Sequence, residues 1–342
     1  MKSILKNRIS KIILIGFLFL FGTFSAGAQF MVSGSDLTIT SAPLYPAANQ
    51  MITLKAEIYV TDINRAEISW FVDGKLKERG VGKKEFSFRT KDLGKTSLID
   101  IQINTSDLGR INKRIKITPT EINFIWEANT YSPPFYKGKA LNTHEAAMKM
   151  VALPIFVDSA GRKIDAKNLV YTWEKDWKIA GAKSGYGKNS FSFIGPQIFR
   201  ETVISVTVET LDGALKNKKN LSLPSHSPEI IFYEKNPLLG ILDNNALGNS
   251  YKQTGEELAL VARPFFFSKE NLPRQTKYNW TLNGKKLEKR GLEIVVRRTG
   301  NTGGRSLIAL EIQNLKKIMQ FAKNSFRIDL TDNSPSETNF GF

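Results

Sequence analysis

The sequence predicts an all-β chain of three tandem sandwich modules, and three observations carry that expectation. Tryptophans at Trp70, Trp173 and Trp280 recur 103 and 107 residues apart. Each is followed by an alternating apolar–polar strand whose centre, Ile101, Val206 or Leu310, lies 31, 33 or 30 residues further on. Each is also preceded by a short apolar run opening on alanine, at Ala56, Ala152 and Ala262. Self-similarity at a nearly fixed period marks a chain built from copies of one supersecondary plan.

The elements follow in order. Ile99, Ile101 and Ile103 alternate with Asp100 and Gln102, Ile204, Val206 and Val208 alternate with Ser205 and Thr207, and Ile308, Leu310 and Ile312 repeat the pattern. A period of two sends one set of side chains into a core and the other into water. Asp73-Gly74 and Asn283-Gly284 follow the first and third tryptophans between strand-like flanks. Such dipeptides tolerate the positive φ of a tight turn, so each predicts a β-hairpin. Leu211-Asp212-Gly213 predicts a later turn in the middle copy. Asn314 to Lys323 has helix-like spacing at Leu315, Ile318, Met319 and Ala322, but it lies between two predicted strands and reads as a decorated hairpin.

The stretch from Phe124 to Leu141, FIWEANTYSPPFYKGKAL, is rich in aromatic rings and proline. Glu121 to Glu127 aligns with Glu229 to Glu234, and Ala140-Leu141 aligns with Ala246-Leu247, so the stretch opens a module. Proline cannot donate to a ladder and suits an edge strand. Phe124 and Trp126 are expected to pack into a core or against the preceding module. Tyr131, Phe135 and Tyr136 have no aromatic counterparts in the third copy, which offers Leu238, Ile241 and Leu242. They are the candidate aromatic binding residues, for a sugar ring or a partner protein.

The N-terminus has the order of an export signal. Lys2, Lys6, Arg8 and Lys11 precede an apolar run from Ile12 to Phe21, and Ala26-Gly27-Ala28 supplies a cleavage site before Gln29. Left uncleaved, the segment would be the chain's membrane contact, although it is shorter than the roughly 20 residues of a comfortable span. Either way the chain is expected to be exported, to the cell surface, the periplasm or the medium. No cysteine is present, which excludes a disulfide framework and thiol catalysis. The three sequons, at Asn104, Asn220 and Asn279, read as chance. Removing the signal's four basic residues leaves +13 of the formal +17.

A module of this length, all β, with one tryptophan on a strand of its first half, resembles the immunoglobulin-like sandwich. The resemblance takes in the tandem Ig-like and PKD-like modules of bacterial secreted proteins. It covers Asp36 to Leu330 and implies that Trp70, Trp173 and Trp280 occupy the place of the core tryptophan. The absence of a cysteine pair and of a clear tyrosine corner sets antibody-type domains aside. The expected organisation is a signal peptide over 1–28, Ig-like domains over 33–118, 119–224 and 225–330, and a disordered tail over 331–342.

Function is read from what the surface offers. Lys75, Lys77 and Arg79 follow the first tryptophan, and Lys285, Lys286, Lys289 and Arg290 follow the third. They are the candidate basic binding residues, suited to an anionic polysaccharide or to nucleic acid. Lys216, Lys218 and Lys219 form a further basic turn in the middle copy. The run Gly181 to Ser190 departs from a phosphate loop at Ala182 and Asn189 and reads as a flexible hairpin after Trp173. His144 and His226 stand near module starts, away from any candidate nucleophile, and no metal-ligand spacing is present. Glu121, Glu127 and Asp176 offer carboxylates, but Glu127 recurs as Glu234, as a structural residue does. The expected protein is therefore not an enzyme and needs no cofactor. It is an envelope scaffold or adhesin-like component that binds another envelope protein, as an accessory to a pilus or secretion apparatus would. The alternative is a binder of extracellular anionic polymer or polysaccharide.

Overall fold

Alternation becomes strand in every copy. The computed structural model describes residues 36–197, 200–299 and 303–331, and within them strands fall into three successive groups, each around its own core. The expected signal peptide lies outside the described residues, as does the expected tail beyond Thr331.

The first group comprises β1 (Leu37–Ala42), β2 (Met51–Ile58), β3 (Glu67–Val72), β4 (Lys75–Val81), β5 (Glu85–Arg89), β6 (Ser97–Thr105) and β7 (Gly109–Ile117). They form two antiparallel sheets, ordered β1-β2-β5 and β4-β3-β6-β7. This is the order of an immunoglobulin-like sandwich whose fourth strand has joined the tryptophan sheet. The second group is β8 (Glu121–Ala128), β9 (Ala147–Ile155), β10 (Val170–Lys175), β11 (Lys178–Ile179), β12 (Gly185–Tyr186), β13 (Ser190–Ile194), β14 (Thr202–Glu209) and β15 (Lys216–Leu223). Its sheets run β13-β9-β8 and β11-β10-β14-β15, with β12 also on β10.

The third group is β16 (Glu229–Asn236), β17 (Gly240–Ala246), β18 (Ser250–Gln253), β19 (Glu257–Phe265), β20 (Thr276–Leu282), β21 (Lys285–Lys286), β22 (Glu293–Arg297), β23 (Gly304–Asn314) and β24 (Phe321–Leu330). The same plan is widened to β17-β16-β19-β22 and β18-β24-β23-β20-β21, with β18 parallel to β24. Asn314 to Lys323 is the β23–β24 hairpin rather than a helix.

The tryptophans organise each core. Trp70 pairs with Ile101, Trp173 with Val206 and Trp280 with Leu310, so the three strand centres found by spacing are the tryptophans' register partners. All three side chains are fully buried. Each indole Nε1–H donates to a backbone carbonyl, of Lys83 at 2.8 Å, Lys188 at 2.8 Å and Gly291 at 3.0 Å. A buried donor left without an acceptor costs about 1–3 kcal/mol, so the acceptor is part of the core. Trp70 stacks on Phe86 and Trp173 on Phe191, while Trp280 leans on Phe232. The alanine N–H groups of Ala56, Ala152 and Ala262 donate to Lys84, Asn189 and Leu292, which prolongs the pairing of β2 with β5 and of its counterparts.

The tight turns also repeat, with one departure. Asp73-Gly74 joins β3 to β4 and Asn283-Gly284 joins β20 to β21, with positive φ at all four residues. In the middle module the equivalent turn joins β10 to β11 through Asp176 and Trp177, at φ 49° and 66°. The sequence places its hairpin later, in the glycine-rich run 181–190. The true turn carries no glycine: the Asp176 N–H donates to the Val203 carbonyl and its carboxylate accepts from the Val203 N–H, and Trp177 takes the left-handed conformation that glycine takes in the other two copies.

Both junctions are packed. At the first, the Gly94 N–H donates to Pro119, Asn217 donates to the Thr120 carbonyl, and a Cβ on Gly94 would lie 2.4 Å from the Val157 Cβ. At the second, the chain after β8 leaves its own sheet and runs along the third module.

Candidate functional site

The aromatic candidates lie in that second seam. Phe124 and Trp126 pack on the core of their own module, with Phe124 6.2 Å from the Trp173 ring. They make neither the first junction nor a surface patch. Lys139 caps the outer face of Trp126 at 3.3 Å from the ring centroid, and burial lowers its ammonium pKa.

Beyond Ala128 the backbone pairs with the third module. The Tyr131 N–H donates to the Phe267 carbonyl, the Phe266 N–H donates to the Tyr131 carbonyl, and Thr130 bridges Ser268. Thr143 Oγ1 donates to the Phe266 carbonyl at 2.9 Å, and Gln320 Nε2 donates to the His144 carbonyl. The rings follow the backbone: Phe135 meets Tyr233 edge-on at 5.4 Å, and Tyr136 meets Phe265 and Phe266 at 5.5 and 5.8 Å. Tyr131, Phe135 and Tyr136 are thus half-buried, with much of their apolar surface committed to an internal seam.

Sequence comparison locates this stretch as a module start but misses the strap, because its partner segment is more than a hundred residues away. The nearest signal is the run Phe265-Phe266-Phe267, which is more aromatic than one strand of a sandwich needs. Both histidines belong to the same seam. His144 is buried there, and the His226 N–H donates to the Asn142 carbonyl while Thr143 bridges His226.

The basic candidates sit on edges. Lys75, Lys77 and Arg79 lie on β4, an edge strand, and Lys285 and Lys286 on β21, another edge strand, with Lys289 and Arg290 in the loop after it. All seven are exposed. Arg79 clasps Glu67 through two N–H donors at 3.0 and 2.8 Å, which raises its own pKa and lowers that of the carboxyl. Among the described residues the other six form no ion pair. Placement on two edges agrees with lysine's part in keeping open strands from pairing. In the middle copy the expected basic turn is strand β15, on which Lys216 and Lys218 are tied to Glu209 and Glu174 and Lys219 is exposed. Among the described residues no group of three His, Asp or Glu side chains could hold a metal ion.

By its own strand order the chain is an all-β array of immunoglobulin-like sandwiches. No family model matches it, and no curated protein is similar to it in sequence. It is similar in structure to three N-terminal domains of the outer capsid protein Hoc of bacteriophage RB49, at 11% identity over 87% of this chain and 99% of that one, with a TM-score of 0.25. A central fibronectin-III array of RIM-binding protein matches at 13% identity over 86% and 95% of the two chains, with a TM-score of 0.29. SGBP-B of the Bacteroides ovatus mixed-linkage glucan utilization locus, in complex with a mixed-linkage heptasaccharide, matches at 12% identity over 86% and 70%, with a TM-score of 0.22. Superpositions this loose carry no argument about ligand or partner.

Proposed function

We propose that the chain is an exported, non-catalytic scaffold of the bacterial cell envelope, which holds another envelope protein as an accessory to a pilus or secretion apparatus. The observation that carries this reading is the seam between the second and third modules. Three backbone ties and three aromatic contacts clamp modules that a plain linker would leave free to swing. A scaffold needs that economy of motion, because fixed neighbours present fixed surfaces. The two histidines support the non-catalytic part, since both serve the seam. Fractionation of cells followed by crosslinking on intact cells tests the reading. Recovery in the envelope with one dominant crosslinked protein is the expected result, whereas a cytoplasmic protein would refute it.

A second reading, a binder of anionic polymer, is favoured by six cations, four on edge strands and two in the loop after β21, that form no ion pair among the described residues. Binding to teichoic acid or heparin should then fall steeply with added salt. Replacing Lys285, Lys286 and Lys289 by glutamine should flatten that slope.

A further inference from the structure

The three modules share one scaffold, so a role peculiar to one copy has to be carried by outward positions that differ among the copies. On the outer face of the tryptophan sheet of the first module, Phe71, Asp100 and Arg114 form one row across β3, β6 and β7. Ser69, Gln102 and Asn112 form the next. Phe71, Asp100, Gln102, Asn112 and Arg114 line a depression that opens beside the Gly74 turn. Strands lie about 4.8 Å apart and residues rise about 3.3 Å, so two rows on three strands span roughly the footprint of one pyranose ring.

The chemistry of this shelf is specific. Arg114 and Asp100 neutralise each other through two hydrogen bonds. Gln102 and Asn112 stand directly opposite one another, and among the described residues neither side chain has a hydrogen-bond partner. Each free amide offers both donors and an acceptor, the combination that reads a vicinal diol. The half-buried Phe71 ring supplies an apolar face beside them. The equivalent places in the second module are Glu174, Ser205 and Asn220 with Thr172, Thr207 and Lys218, and the Lys218–Glu174 ion pair closes that surface. In the third they are Thr281, Ala309 and Ser325 with Asn279, Glu311 and Lys323. Only the first copy combines a ring, two unpartnered amides and a cancelled charge.

We infer that the outer face of the four-stranded sheet of the first module is a binding site for a sugar unit of a neutral polysaccharide, with Phe71 under the ring and Gln102 and Asn112 on its hydroxyls. Neutrality follows from the Asp100–Arg114 pair, which leaves amides rather than charges to meet the ligand. The site uses neither the seam nor the edge cations, so it stands or falls apart from both readings above.

Titration of the full chain with cellohexaose, mannohexaose, maltohexaose and xylohexaose, at low and high salt, tests the inference. At least one hexasaccharide is expected to bind with an affinity indifferent to salt. Phe71→Ala and the double variant Gln102→Ala/Asn112→Ala should each weaken it about tenfold, near 1.4 kcal/mol. Phe71→Tyr keeps the ring and should retain binding. The amides are on the surface, so the double variant should unfold at the wild-type temperature, and Lys285→Gln/Lys286→Gln should bind as the wild type does. Failure of all four sugars to bind, survival of binding in both variants, or a steep loss with salt would each overturn the site. The last outcome would favour the anionic-polymer reading instead.

Discussion

Asp73 and Leu98 exchange two hydrogen bonds at one end of the first module: the Asp73 N–H donates to the Leu98 carbonyl at 2.8 Å, and the Leu98 N–H donates to Asp73 Oδ1 at 3.1 Å. Asp176 and Val203 repeat the pair, as do Asn283 and Leu307. An Asp or Asn three residues after the tryptophan therefore ties each tight turn to the adjacent strand. Asp73→Ala removes the acceptor for Leu98. The expected cost is about 1–2 kcal/mol, seen as a lower unfolding temperature of the first module.

The same carboxylate predicts a pH effect. Lys91, 2.9 Å away, and the Leu98 N–H hold the Asp73 carboxyl below the usual carboxylate range. A depressed folded-state pKa contributes stability that is complete above the ordinary value and lost as pH falls through the depressed one. Asp73→Asn keeps the Asn283-like pairing with the strand but does not titrate. Denaturant titrations below about pH 4 should show a shallower loss of stability in that variant than in the wild type.

Trp177 occupies the place of Gly74 and Gly284 at φ 66°, and it is 69% exposed. A non-glycine residue in the left-handed region is strained by about 1–3 kcal/mol, and little packing offsets that here. Trp177→Gly should raise the stability of the second module by about 1 kcal/mol once the lost chain entropy of glycine is counted. A thermal melt showing no gain would mean that the indole stabilises the turn.

The seam predicts coupled unfolding. Tyr136→Ala strips the ring from Phe265 and Phe266, a loss of about 2 kcal/mol for a half-buried aromatic. Gly138→Ala attacks the same place from the other side, because a Cβ there would lie 2.3 Å from the Tyr136 ring. The wild-type second and third modules should melt as one unit in calorimetry, and either variant should split that transition. A single unchanged peak in both would show that the backbone ties alone couple the modules.

The first junction turns on Gly94, whose φ is 74° and whose missing Cβ leaves room for Val157. Gly94→Ala should force the two modules apart. Limited proteolysis should then cut faster near Thr118 to Thr120, with the second and third modules intact.

Much of this was legible in the chain. Period-two alternation put Ile99, Ile101 and Ile103 in a core, and regular spacing matched each tryptophan to the strand that pairs with it. Asp-Gly and Asn-Gly named two of the three tight turns. The third stayed hidden because Trp177 stands where the other two turns carry glycine, although Asp176 keeps the same place three residues after its tryptophan. Tyr131, Phe135 and Tyr136 were visible as an excess of rings, but not as a clamp. The shelf on the first module was invisible, because Phe71, Gln102 and Asn112 become neighbours only through strand register.

Local chemistry thus specified the strands, the turns with glycine and the threefold plan, because φ preferences and alternating burial act between residues close in the chain. Which aromatic rings face solvent, which lysines keep a free charge and which amides lack a partner depended on segments tens to more than a hundred residues apart. Only closure of the sandwiches and docking of one on the next brings those groups within hydrogen-bonding and contact distance.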